Sequence, residues 1–78
     1  MRSIRTIAEE IRASWSKPHY AAIPYLDAML YLDRVEDQYL FDSGRSVISY
    51  FLANASSWRG DTARRIKTEL RDILKLQS

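Results

Sequence analysis

The sequence predicts an all-α protein, a small compact bundle of three to four helices, from three observations. Apolar residues recur at three- and four-residue spacing along most of the chain. No segment shows the sustained alternation of a half-buried strand. A content of 46% hydrophobic residues with only two glycines and two prolines suits an ordered core rather than a disordered chain.

The first helix opens at Ser3, a residue type whose side chain caps free backbone amides. Ile4, Ile7, Ala8, Ile11 and Trp15 then fall on one side, with Arg5, Glu9 and Arg12 elsewhere. Pro18 disfavours helical geometry at its predecessor, so this helix should end near Ser16 and Lys17. The stretch from Tyr20 to Asp33 reads as helix through Ala22, Ile23, Leu26, Met29, Leu30 and Leu32, with the main helix from about Pro24, which sits in a first turn or joins a short turn to it. Residues 34–43 are acidic with an apolar cluster of Tyr39, Leu40 and Phe41, and their pattern fits either a bent connection or another helical turn. Asp42 or Ser43 is placed to cap a third helix carrying Val47, Ile48, Phe51, Leu52 and Ala55. Gly60 breaks the chain, and Asp61 or Thr62 is expected to cap the last helix. There Ala63, Ile66, Leu70, Ile73 and Leu74 form the apolar stripe, and Arg64, Lys67, Arg71 and Lys75 form a basic stripe outside it.

A chain of 78 residues is read as one domain, 1–78, near the lower limit for a core without disulfides or metal. Cysteine is absent, which removes disulfides, thiolate chemistry and cysteine zinc sites and fits a cytoplasmic setting. The N-terminal residues mix Arg2, Arg5, Glu9 and Glu10 with isoleucines and resemble neither a signal peptide nor a membrane span, so no membrane is expected. The net charge of +2 is uneven: residues 1–18 carry +2, residues 19–43 carry −4 and residues 44–78 carry +4. Such asymmetry suits a nucleic-acid surface, or one half of a bundle complementing the other.

No catalytic, cofactor-binding or metal-binding set emerges, and the protein is read as non-enzymatic. His19 is the single histidine, and it follows Pro18 at a helix entrance, where a capping or packing role is the ordinary one. Asp27, Asp33, Glu36, Asp37 and Asp42 lack calcium-loop spacing and read as a solvated acidic face. Gly44 and Gly60 sit in no phosphate-cradling loop.

Two surfaces are better candidates. Leu52, Ala53, Trp58, Ala63 and Ile66 approximate helix-turn-helix spacing, with Arg64 and Arg65 on the second helix where groove contacts would fall. Ser56 and Ser57 depart from that pattern, where a packed apolar residue and a turn glycine are usual. The aromatics Trp15, Tyr20, Tyr25, Tyr31, Tyr39, Tyr50 and Trp58 are too many for full burial in so small a protein. Some should reach the surface, where Tyr, Trp and Arg anchor protein interfaces. Trp58, Arg59, Arg64 and Arg65, grouped around the bend at Gly60, are the expected partner contacts.

The strings at 20–29 (YAAIPYLDAM), 42–46 (DSGRS) and 51–67 (FLANASSWRGDTARRIK) resemble short hypothetical proteins of phages, prophages and integrative elements of Gram-positive bacteria. The likeness covers nearly the whole chain and transfers no functional residue. It implies an accessory factor, a class that includes inhibitors of host defences such as anti-CRISPR proteins and regulators of element genes. The expectation is an interaction protein that binds a bacterial protein or nucleoprotein complex. A helix-turn-helix-like DNA-binding regulator is the alternative, and a homodimer is compatible with either.

Overall fold

A computed structural model of the chain describes residues 2–40 and 42–76. Four helices appear in chain order: α1 (Ile4–Ser14), α2 (Ile23–Met29), α3 (Gly44–Ala53) and α4 (Asp61–Leu76). Between α2 and α3 lies a minimal antiparallel hairpin, β1 (Gln38–Tyr39) and β2 (Asp42–Ser43), with Gln38 opposite Ser43 and Tyr39 opposite Asp42. Of the two readings, the bent connection describes 34–40 and 42–43, with the hairpin added; two residues per strand are too few to leave an alternating pattern in the sequence. Leu40 turns the hairpin at φ 57°, the left-handed geometry that tight hairpin turns require.

Both serine caps form as read. Ser3 Oγ accepts the Thr6 amide at 3.1 Å, and Ser43 Oγ accepts the Ser46 amide at 3.1 Å. The remaining orphan amides of these helix starts are satisfied by the chain between α2 and α3. Ile4 N donates to Asp33 O at 3.0 Å and Arg5 N to Leu32 O at 2.8 Å; Gly44 N donates to Asp37 O at 2.6 Å and Arg45 N to Val35 O at 3.0 Å. Residues 32–37 therefore tie two helix ends together. Gly44 is demanded by this crossing, because a Cβ there would lie 2.7 Å from Val35 O and 2.9 Å from Arg34 O.

Three boundaries differ from the sequence reading. α1 ends at Ser14, with Trp15 as its extended C-cap; α2 stops at Met29, and turns carry the chain through Leu32. At α4 the last helix begins at Asp61 itself, and Gly60 O accepts its first amide, that of Arg64, at 2.9 Å. Neither Asp61 nor Thr62 is the cap; Asp61 sits in the first turn, where its charge suits the positive end of the helix dipole.

The helices enclose one core. Ile4, Ile7 and Ile11 of α1, Met29 and Leu32, Ile48 and Phe51 of α3, and Ile66 and Leu70 of α4 are fully buried. No polar or charged residue is buried among the described residues. α2 packs on α1 and α3, and α4 packs on α1 and α3. The radius of gyration is 11.2 Å, close to the roughly 11.5 Å expected for this length. Arg45 closes the packing by donating to Leu74 O at 3.0 Å, near the end of α4.

Candidate functional site

Gly60 takes φ 114° with open space where a Cβ would be, so the bend before α4 selects glycine for its backbone angle. The bend does not project Trp58 outward. Trp58 is 5% exposed, stacks on Trp15 at 5.5 Å and 14°, and Trp15 meets Phe51 edge-on at 6.2 Å. The expectation of a surface contact at Trp58 is corrected: with a second indole to stack on, its ring area is worth more inside the core than at the rim. Its carbonyl accepts from Lys67 Nζ at 2.6 Å, and that ammonium lies 5.9 Å from the ring centroid.

Arg59 and Arg64 remain at the surface. With Lys67 and Arg71 they border a shallow cavity of about 260 Å³, with Trp58 and Ala63 in its lining. Arg64, Lys67 and Arg71 follow one another at helical spacing on the same side of α4. The carboxylate in contact with this row is Asp61, 3.9 Å from Arg64, and both side chains are almost fully exposed. The pair is therefore weak. Burial pushes the Lys67 ammonium pKa down, and the positive charges of Arg71 and Arg59 push it further. The row is a cluster of cations that repel one another.

Arg65 is one residue from Arg64 but faces different neighbours. It pairs with Glu10 of α1, which also takes Arg2 at 2.7 Å; Arg2 in turn holds Glu69 through two nitrogens at 2.6 and 3.0 Å. Hydrogen bonds from Arg2 hold the carboxyls of Glu10 and Glu69 below the usual range, and Arg65 adds to the effect at Glu10. The same bonds raise the Arg2 pKa above its ordinary value. Of the four expected contacts, the structure brings Arg59 and Arg64 together, places Trp58 below them, and assigns Arg65 to a charge-balanced staple between α1 and α4.

The other exposed aromatic groups are three stacked pairs containing the tyrosines, with Tyr25 and Tyr39 half-buried against the core. None of the five is in the core, and each stacks on another ring: Tyr20 on His19 at 4.7 Å, Tyr25 on Tyr50 at 5.4 Å, and Tyr31 on Tyr39 at 5.5 Å. Tyr20, Tyr31 and Tyr50 remain 81%, 70% and 54% exposed. The expectation that some aromatics reach the surface holds for these tyrosines, and both tryptophans go inside. The stacking itself was invisible in the sequence, because two of the three pairs join separate elements.

The other groups singled out by composition are local. His19 Nδ1 accepts the Ala21 amide at 3.1 Å and so caps the turn into α2. Asp37 accepts the amides of Asp33 and Arg34 at 3.1 and 3.0 Å, which lowers its pKa, while Asp33 pairs with Arg5 at 3.4 Å and Glu36 with Arg34 at 3.9 Å. No group of three or more His, Cys, Asp or Glu residues able to hold a metal ion occurs among the described residues. Nor is any described helix long and apolar enough to cross a membrane. α3 and α4 are joined through residues 54–60, a longer link than the three- or four-residue turn of a helix-turn-helix. No protein-family model, curated protein or solved structure matches the chain.

Proposed function

We propose that this chain is a non-enzymatic interaction protein of phage or mobile-element type. It acts in the bacterial cytoplasm by docking on a bacterial protein or nucleoprotein complex and blocking it, as a host-defence inhibitor such as an anti-CRISPR does. The observation that carries the reading is the tyrosine surface: every tyrosine is outside the core and already stacked. Stacked rings lose little rotamer freedom on binding, so they offer amphipathic contact area at low entropic cost.

The test is capture of partners from a bacterial lysate by tagged wild-type chain and by a Tyr20→Ser/Tyr31→Ser/Tyr50→Ser variant, with and without nuclease. A discrete protein retained after nuclease by the wild type and lost from the variant supports the reading. Equal capture by both, or none, contradicts it. Self-association through the same rings would appear as a concentration-dependent mass in sedimentation.

The DNA-binding regulator remains as a second reading because of one observation, the cation row on α4. The long link between α3 and α4 weighs against sequence-specific docking in the helix-turn-helix manner. A regulator would select one sequence from a random duplex pool; an interaction protein would not.

A further inference from the structure

We propose that the row formed by Arg59, Arg64, Lys67 and Arg71 is a contact site for the phosphates of a nucleic-acid backbone. This deepens the reading above by making the target a nucleoprotein complex, and its chemistry is testable without that target.

Four arguments converge. Among the described residues the carboxylate paired with this row is Asp61, 3.9 Å from Arg64 and fully exposed, so the row's charge is poorly matched. On another side of the same helix Arg65 is balanced by Glu10 of α1, and Glu69 by Arg2. Burial disfavours the charged form of Lys67, and Arg71 and Arg59 disfavour it further. A polyanion would relieve that repulsion.

Spacing fits the same ligand. From Arg64 to Arg71 the helix rises about 10 Å, enough for its cations to meet more than one phosphate of a backbone. Arg59 extends the row from the bend, where Gly60 leaves open space. Lys67 is fixed by the Trp58 carbonyl at 2.6 Å, which sets one charge against a rigid support.

The patch offers a protein ligand arginines but no exposed aromatic ring, since Trp58 in its lining is buried. Large exposed hydrophobic residues are Tyr20, Ile23, Tyr31, Leu40, Tyr50 and Leu76, and none of them lines this cavity. Protein interfaces combine arginine with exposed Trp and Tyr anchors, and this patch supplies only the arginine. Phosphate contacts need only placed donors and charge. The contact is therefore independent of base sequence.

The experiment is fluorescence anisotropy of a labelled 20-base-pair duplex of mixed sequence, titrated with the purified full chain between 50 and 200 mM salt. About three phosphate contacts predict a slope of log K on log salt near −2.7, a loss of roughly 40-fold across that range. Arg59→Gln/Arg64→Gln/Arg71→Gln should weaken binding at 50 mM salt roughly 100-fold and bring the slope to about −1. Arg12→Gln/Lys17→Gln/Arg34→Gln removes the same charge elsewhere and should change affinity less than about threefold. Melting temperatures confirm that all three chains fold. No duplex binding at 50 mM salt, equal losses in the two variants, or displacement of the duplex by polyglutamate at matched charge overturns the proposal. Loss of the duplex signal with tyrosine-dependent partner capture intact would remove the phosphate site alone; the converse would remove only the interaction-protein reading.

Discussion

The two sides of α4 carry the same kinds of residue and are set for different tasks. On one side Arg65 and Glu69 join Arg2 and Glu10, and positive and negative groups alternate within hydrogen-bond reach. On the other, Arg59, Arg64, Lys67 and Arg71 border a cavity, and among the described residues the carboxylate paired with them is Asp61, in a long, exposed contact with Arg64. The difference separates arginines that hold the protein together from arginines left open for a ligand. An amphipathic helix pattern cannot draw that distinction, because the partners of Arg65 arrive from another helix.

The most forceful way to break the comparison is to remove the support beneath the open side. Trp58→Ala should destabilise the fold by about 3–5 kcal/mol, the usual loss for a buried large aromatic, read as a lower urea midpoint. It should also weaken duplex binding by releasing the carbonyl that positions Lys67. Gly44→Ala comes next at about 1–3 kcal/mol, since its methyl would press on two backbone oxygens that do not yield easily; duplex affinity per folded molecule should stay unchanged. On the balanced side, Glu69→Gln should cost about 1 kcal/mol by thermal melting, because it weakens a bidentate, partly buried arginine contact.

The pH response sharpens the same point. Glu69 and Glu10 have folded pKa values below their unfolded ones, so their stabilisation is complete above the ordinary carboxylate range and is lost as pH falls through the lowered folded values. The melting temperature of the wild type should drop steeply below about pH 5, and less steeply in Glu69→Gln. The smallest effect belongs to the open side: Arg71→Gln should leave stability within about 0.5 kcal/mol or raise it slightly, through relief of repulsion on Lys67.

Much of the scaffold was legible because helices write their burial into spacing. Most of the apolar stripes of the first, third and last helices are buried, with Leu52 and Leu74 only partly so, and Ser3 and Ser43 cap where their side chains can reach free amides. What escaped depends on contacts distant in sequence. Trp58 reads as an exposed anchor until Trp15, from the end of α1, stacks on it. The hairpin at 38–43 is too short for any period to show, and the early end of α2 follows from the demand for residues 32–37 at two helix starts. Arg59 and Arg64 were singled out from their place at the bend, and the structure leaves both exposed beside one cavity. Lys67 and Arg71 were visible as a basic stripe, while their lack of acidic partners was not.

The most direct test compares two adjacent residues, Arg64→Gln and Arg65→Gln, by duplex anisotropy at 50 mM salt. The account predicts that the first loses roughly tenfold in affinity and flattens the salt slope by about 1, whereas the second stays within about twofold of wild type. Equal losses from both substitutions would contradict it, because α4 would then have one diffuse cationic surface and no distinct binding side.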